Sequence, residues 1–93
     1  MIPIFMSFIF KKVQETLSYQ FSLKPTEIQL ETKIELELGA DSRDLLEMMV
    51  SFENVFNIEI AYEDISDIIT VQDLLFYLKH KIQIRDELYQ NLA

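Results

Sequence analysis

The chain has 93 residues, no cysteine, a formal net charge of −8 at pH 7, and 49% hydrophobic residues. A single domain of this length buries roughly 60–68% of the surface its unfolded chain exposes, so a packed core is expected and disorder is not. The missing cysteine excludes disulfides, thiolate metal sites and a thiol nucleophile of the chain's own.

In chain order, the apolar "MIPIFMSFIF" comes first. It has no basic n-region and no small-residue cleavage site, and Lys11 and Lys12 end it too soon for a membrane span. It reads as the start of a buried helix, with residues 1–5 a possible extension ahead of a start at Met6. Met6, Ile9, Phe10, Val13, Leu17 and Phe21 share one side of a helical wheel, which predicts an amphipathic helix over 6–21. Pro25 then stops helical continuation, and Ile28, Leu30, Ile34, Leu36 and Leu38 alternate. Alternation suits a strand, but no partner strand is evident, so the stretch reads as a long tethered loop whose apolar residues plug into the helices.

The loop ends in "LGADSRD", residues 38–44, which holds the only glycine. Gly39 permits a turn at positive φ, and Asp41 suits the N-cap of a helix that places Ser42 at its first position. Over 42–57, Leu45, Met48, Met49, Phe52, Val55 and Phe56 form the expected core face. Arg43, Leu46, Glu47, Val50, Glu53 and Asn54 lie opposite. Apolar Leu46 and Val50 among charges fit either a docking strip or an ordinary solvated face. Tyr62–Asp67 allows only a short helical segment. Thr70 with Asp73 resembles a capping box for a last helix, whose core face is Val71, Leu74, Leu75, Leu78 and Ile82, with Leu88, Tyr89 and Leu92 able to prolong it. The fold class is therefore all-α: a small bundle of three main helices and one short one, with a long first loop.

Residues 41–73 carry nine acids against one base, Arg43, so the charge excess sits in the middle third. That field repels nucleic acid and anionic membranes and attracts basic protein surfaces. Ser42 lacks a Gly-x-Ser-x-Gly elbow and a neighbouring base, so it is no hydrolase nucleophile. The single His80 reads as a surface residue near a helix C-terminus. No calcium-loop spacing or phosphate-cradling glycine loop occurs, and no metal site or enzyme active site is expected.

Residues 37–78, "ELGADSRDLLEMMVSFENVFNIEIAYEDISDIITVQDLLFYL", resemble the acyl carrier protein family. The likeness lies in the Leu-Gly-Ala-Asp-Ser stretch opening an acidic helix, the "FNIEI" turn, the short acidic segment, and Ile68-Ile69-Thr70-Val71 leading into the last helix. With the first helix and loop it covers residues 6 to about 82 of a single domain spanning 1–93, leaving 83–93 as a helical extension or tail.

The resemblance implies that Ser42 receives phosphopantetheine from coenzyme A through a phosphopantetheinyl transferase. The arm would supply the thiol this chain lacks and hold acyl groups as thioesters. It implies that Asp41, Asp44, Glu47 and Glu53 meet basic surfaces of acyl-transferring or ketosynthase-type enzymes, with Leu46 and Val50 supplying apolar contact and Arg43 at the rim of the same partner-binding strip. It also implies that Met49, Phe52, Phe56, Ile60, Ile65, Ile68 and Leu74 line a space for the acyl chain, although core packing explains these residues equally well. The expected setting is cytoplasmic, and the expected state a monomer serving fatty acid, lipid or polyketide-type synthesis, with neither nucleic acid nor membrane as partner. Two alternatives stand beside this one: a carrier of amino acids or peptides, and an unmodified helical adaptor. Arg43 departs from the family's usual apolar residue after the serine, and Asn54 stands where an acid is common, which points to a specialised carrier with dedicated partners.

Overall fold

The computed structural model describes residues 3–92. Expectations for residues 1, 2 and 93, and for the Leu92 side chain, lie outside the described residues. The architecture is all-α, as the periodicities require. Helix α1 spans Ile4–Phe21, a one-turn α2 spans Ile34–Leu38, α3 spans Ser42–Phe56 and α4 spans Val71–Leu92. Two 3₁₀ segments, Pro25–Glu27 and Tyr62–Asp67, sit in the connections.

The core is the convergence of the apolar faces. Ile9, Val13 and Leu17 of α1 are sealed against Met48 and Phe52 of α3 and against Val71, Leu74, Leu75 and Leu78 of α4. Phe52 and Phe56 stack with ring centroids 6.1 Å apart. Helices α1 and α3 run in opposite directions, since Gln20 Nε2 near the end of α1 donates to the Asp44 carbonyl near the start of α3 at 2.7 Å. Helices α3 and α4 finish together: Arg85 donates to the Phe56 carbonyl, and Asn57 Nδ2 donates to the Tyr89 hydroxyl at 3.1 Å.

The loop between α1 and α3 is tethered, and its partner lies forty residues on. Ile34 N donates to the Ile69 carbonyl at 2.9 Å, Val71 N to Thr32 at 2.9 Å and Gln72 N to Leu30 at 2.9 Å. Lys33 and Thr70 thereby form an isolated antiparallel bridge. The alternation thus marks a brief β-like pairing, with Ile28 and Ile34 buried and Leu30 and Leu38 packed against the core. Leu36 departs from that expectation. It lies on the outer side of the one-turn α2 and faces solvent.

Three other expectations are corrected. The N-terminal apolar run is not buried throughout: Met6 and Ile9 face the core, whereas Ile4, Phe5 and Phe8 project outward. Val55 is exposed rather than core, because it borders a groove between α1 and α3 lined by Thr16, Tyr19, Gln20 and Ser51. His80 is mid-helix, not near a C-terminus, because α4 meets no glycine or proline and runs on to Leu92. The Thr70–Asp73 capping box forms as expected, with Asp73 N donating to Thr70 Oγ1 at 3.1 Å and Thr70 N to Asp73 Oδ2 at 3.0 Å. The N–H donors of Thr70 and Ile69 hold the Asp73 carboxyl below its ordinary range.

Candidate functional site

The site is built where the chain turns out of α2 into α3. Gly39 closes α2 in the left-handed conformation, φ 70°, which only glycine adopts without cost. Two residues later the chain is extended at Asp41, and α3 begins. Asp41 and Asp44 cap that start reciprocally: Asp44 N donates to Asp41 Oδ1 at 2.9 Å, and Asp41 N to Asp44 Oδ2 at 3.0 Å. Both acids therefore serve the helix before any partner arrives. The backbone N–H of Asp44, more than any other group, holds the Asp41 carboxyl below the usual carboxylate range.

Ser42 occupies the first helical position and is exposed. Its hydroxyl has no bonding role in the cap, which Asp41 and Asp44 complete between themselves. The arrangement presents a primary alcohol at a helix N-terminus, where first-turn N–H groups favour an anion by about 0.3–1 kcal/mol at an exposed site. A phosphodiester fits there, although the two neighbouring carboxylates oppose it in part.

Along α3, Arg43, Leu46, Glu47 and Val50 follow the i, i+3, i+4, i+7 spacing of one helical face, and all four are exposed. Leu46 retains 47% and Val50 56% of its accessible surface, so two apolar side chains stand among the charges of this face. Glu53 is different. It is half-buried, and its carboxylate accepts from Ile60 N at 2.9 Å, which ties the turn after α3 back onto the helix.

The residues expected to line an acyl space are all in the core or against it. Met49, Phe52, Phe56, Ile65, Ile68 and Leu74 are buried, and Ile60 packs on them. Ile68 also borders a groove of about 390 Å³ with Leu36 and Ile69, between α2 and the Tyr62–Asp67 segment. That segment is fastened to α4 by the Tyr77 hydroxyl, which donates to Asp64 Oδ2 at 2.6 Å. Burial, then the Asp64 carboxylate, pushes the Tyr77 phenol well above its ordinary value.

Sequence reasoning missed Gln20, which joins α1 to the first turn of α3. It carries no signal on a helical wheel, because a polar residue at the edge of an apolar face looks like any solvated side chain. Asp64 is missed for a similar reason: its engagement with Tyr77 and Lys81 looks, in sequence, like one more acid in a charge run. Among the described residues, no cluster of side chains is arranged to hold a metal ion, and no helix is long and apolar enough to cross a membrane.

Residues 11–78 match a family model described as a phosphopantetheine attachment site. That match spans the capped helix start, all of α2 and α3 with their connections, and the adjoining parts of α1 and α4. The chain belongs to the acyl carrier protein family. It is 37% identical over 70 residues to the acyl carrier protein of Phaeodactylum tricornutum, covering 75% of this chain and 92% of that one. It is 38% identical over 71 residues to that of Wolinella succinogenes, with 76% and 93% covered, and 38% identical over 78 residues to that of Cylindrotheca sp., with 84% and 98% covered. Its role is that of an acyl carrier, and its prosthetic group is phosphopantetheine. As in any acyl carrier protein, the work lies in holding a group and presenting it to biosynthetic enzymes.

Proposed function

We propose that Ser42 is the residue on which this carrier bears its arm, and that α3 presents it to visiting enzymes. The observation that carries the reading is the exposed hydroxyl at the first position of a helix whose capping is complete without it. The arm supplies the terminal thiol, which the cysteine-free chain lacks. The chain's own residues do the rest. Asp41 and Asp44 fix the helix mouth, and Gly39 sets the turn that keeps Ser42 outward. The face of Arg43, Leu46, Glu47 and Val50 meets the partner, with Asp41, Asp44 and the half-buried Glu53 adding negative charge around it. Exposed ion pairs are worth ~0–1 kcal/mol each, so such a face favours quick, reversible encounters over tight complexes. That suits a cytoplasmic, monomeric, non-catalytic shuttle between a phosphopantetheinyl transferase and acyl-transferring or ketosynthase-type enzymes of fatty acid, lipid or polyketide-type synthesis. The acyl chain is read as sheltering among Met49, Phe52, Phe56, Ile60, Ile65, Ile68 and Leu74, reached beside Ile68 where the core comes nearest the surface groove.

The test is intact mass after co-expression with a promiscuous transferase. Addition of one phosphopantetheine is expected, and fragmentation should place it on Ser42. An unmodified chain, or a modification elsewhere, overturns the reading.

Arg43 points to specialised partners. Exposed at the rim of the docking face, it places a cation where a basic enzyme surface must approach, and it repels that surface. Arg43→Leu is therefore expected to speed loading by a generic fatty-acid transferase, about two- to fivefold if one exposed charge contact is at stake. Equal loading rates for the two forms would remove the argument for dedicated partners.

A further inference from the structure

The segment Tyr62–Asp67 is the thinnest wall of the core. Helices α1, α3 and α4 run for 18, 15 and 22 residues, whereas this wall is a 3₁₀ helix of six. Its i→i+3 hydrogen bonds have poorer geometry than those of an α-helix. Tyr62, Glu63, Ser66 and Asp67 are exposed, and Ile65 is its buried residue. Ile68 follows just beyond the segment and is buried too. Protein interiors are close-packed, so an added chain enters such a core only where a wall gives way.

Both ends of this wall are tied from outside it. Before the segment, Ile60 N donates to Glu53 of α3 at 2.9 Å, and after it Ile69 N donates to Asp73 of α4 at 3.0 Å. Within the segment, among the described residues, the side-chain ties to a long helix all end on Asp64. The Tyr77 hydroxyl donates to Asp64 Oδ2 at 2.6 Å, and Lys81 Nζ lies 4.0 Å from the same oxygen. Tyr77 and Lys81 stand at i and i+4 on α4, so hydroxyl and ammonium reach Asp64 from one helical face. Lys81 Nζ also lies 5.6 Å from the centre of the Tyr77 ring. Asp64, Tyr77 and Lys81 are each half-buried, where a hydrogen bond to a charged group counts for more than in open water. The phenol, pushed up by burial and then by Asp64, stays a donor at any ordinary pH.

We propose that Asp64 and Tyr77 form a latch that sets how readily long cargo leaves the core. The latch acts on a chain carried by Ser42 and sheltered as proposed above, and so rests on that reading. With the bond made, Ile65 and Ile68 close over the chain and shield its thioester. With the bond broken, the segment opens between its two tied ends and the chain slips out, a local opening that leaves the three long helices packed. Tyr77 and Asp64 act through Ile65 and Ile68 rather than on the cargo, as positioning residues. A chain too short to pass Ile65 does not feel the latch, so the pair discriminates cargo by length.

Cleavage of loaded thioesters by hydroxylamine is the experiment. The full chain is loaded from acetyl- or octanoyl-coenzyme A by a promiscuous transferase, and loss of the acyl group is followed by intact mass. In the unaltered protein the octanoyl thioester should be cleaved more slowly than the acetyl one. Tyr77→Phe keeps the ring and deletes the hydroxyl, so it should speed octanoyl cleavage about tenfold, the effect of losing one hydrogen bond to a charged group, and leave acetyl cleavage unchanged. Asp64→Asn keeps an acceptor for Tyr77 but loses the charge, and should give a smaller acceleration. Gln20→Ala breaks the bond between α1 and α3 instead, and should lower the melting temperature without speeding octanoyl cleavage. A chain that takes no arm on Ser42 overturns the Ser42 reading and the latch with it. Octanoyl cleaved as fast as acetyl in the unaltered protein removes the shelter and the latch together. Loaded Tyr77→Phe that loses octanoyl no faster than the unaltered protein, or Gln20→Ala that loses it as fast as Tyr77→Phe, overturns the latch alone.

Discussion

Ser42→Ala is expected to abolish addition of phosphopantetheine completely while leaving thermal stability where it was. The two halves of that result have separate causes. A phosphodiester needs an alcohol to form on, and alanine has none. The fold does not need that alcohol, because the bonds of Asp41 and Asp44 close the helix start at 2.9 and 3.0 Å without it. Alanine is also the best helix former at an exposed helical position, so the change should fall within about ±0.5 kcal/mol. Two of the other hydroxyls are already engaged. Ser18 is buried and donates to the Glu15 carbonyl at 2.9 Å, and Ser66 donates to the Glu63 carbonyl at 3.2 Å. Intact mass and a thermal melt on the same preparation separate the outcomes. Residual addition at the original level would move the arm to another residue. A large fall in melting temperature would give Ser42 a structural task that its bonding pattern does not contain.

The same stretch shows why the local geometry around Ser42 was legible from sequence. Gly39, Asp41 and Ser42 act through local geometry: a positive φ, a cap and a first helical position are all decided within a few residues. The three long helices were legible for the same reason, since Ile9, Val13 and Leu17, or Leu74, Leu75 and Leu78, repeat at the helical period and are buried together. What escaped was decided by distant neighbours. Nothing near Ile34 announces that its N–H will meet the Ile69 carbonyl, so the loop's alternation lacked a visible partner. Val55 falls on the core face of a wheel, and only the placement of Tyr19 and Gln20 across the groove leaves it exposed. Glu53 reads as one more docking acid, and its additional bond from Ile60 N, seven residues on, carries no local signal. Of the two readings left open for 83–93, helical extension or tail, the extension holds to Leu92, because no stop signal follows His80 and because Arg85 and Tyr89 find acceptor and donor at the end of α3.

Phe52→Ala should be the most damaging single change to stability, with an expected loss of about 3–5 kcal/mol. Phe52 is completely buried, stacks on Phe56 and stands where the three long helices converge, so little can collapse into the space it leaves. Against a total stability of about 5–15 kcal/mol that loss is a large share, and a domain of this size should melt roughly 12–40 °C lower. Val55→Ala, an exposed change on the same helix, should move the melt little. The variant also tests where cargo goes. If the acyl chain shelters among Met49, Phe52 and Ile68, the cavity left by Phe52→Ala lies on its path, and a medium-length chain can fill part of it. Loading should then raise the melting temperature of Phe52→Ala by more than it raises that of the unaltered protein, because ligand that fills a void stabilises the folded state that contains it. Equal increments in the two proteins would mean that the chain stays outside this part of the core, and that these residues serve packing alone.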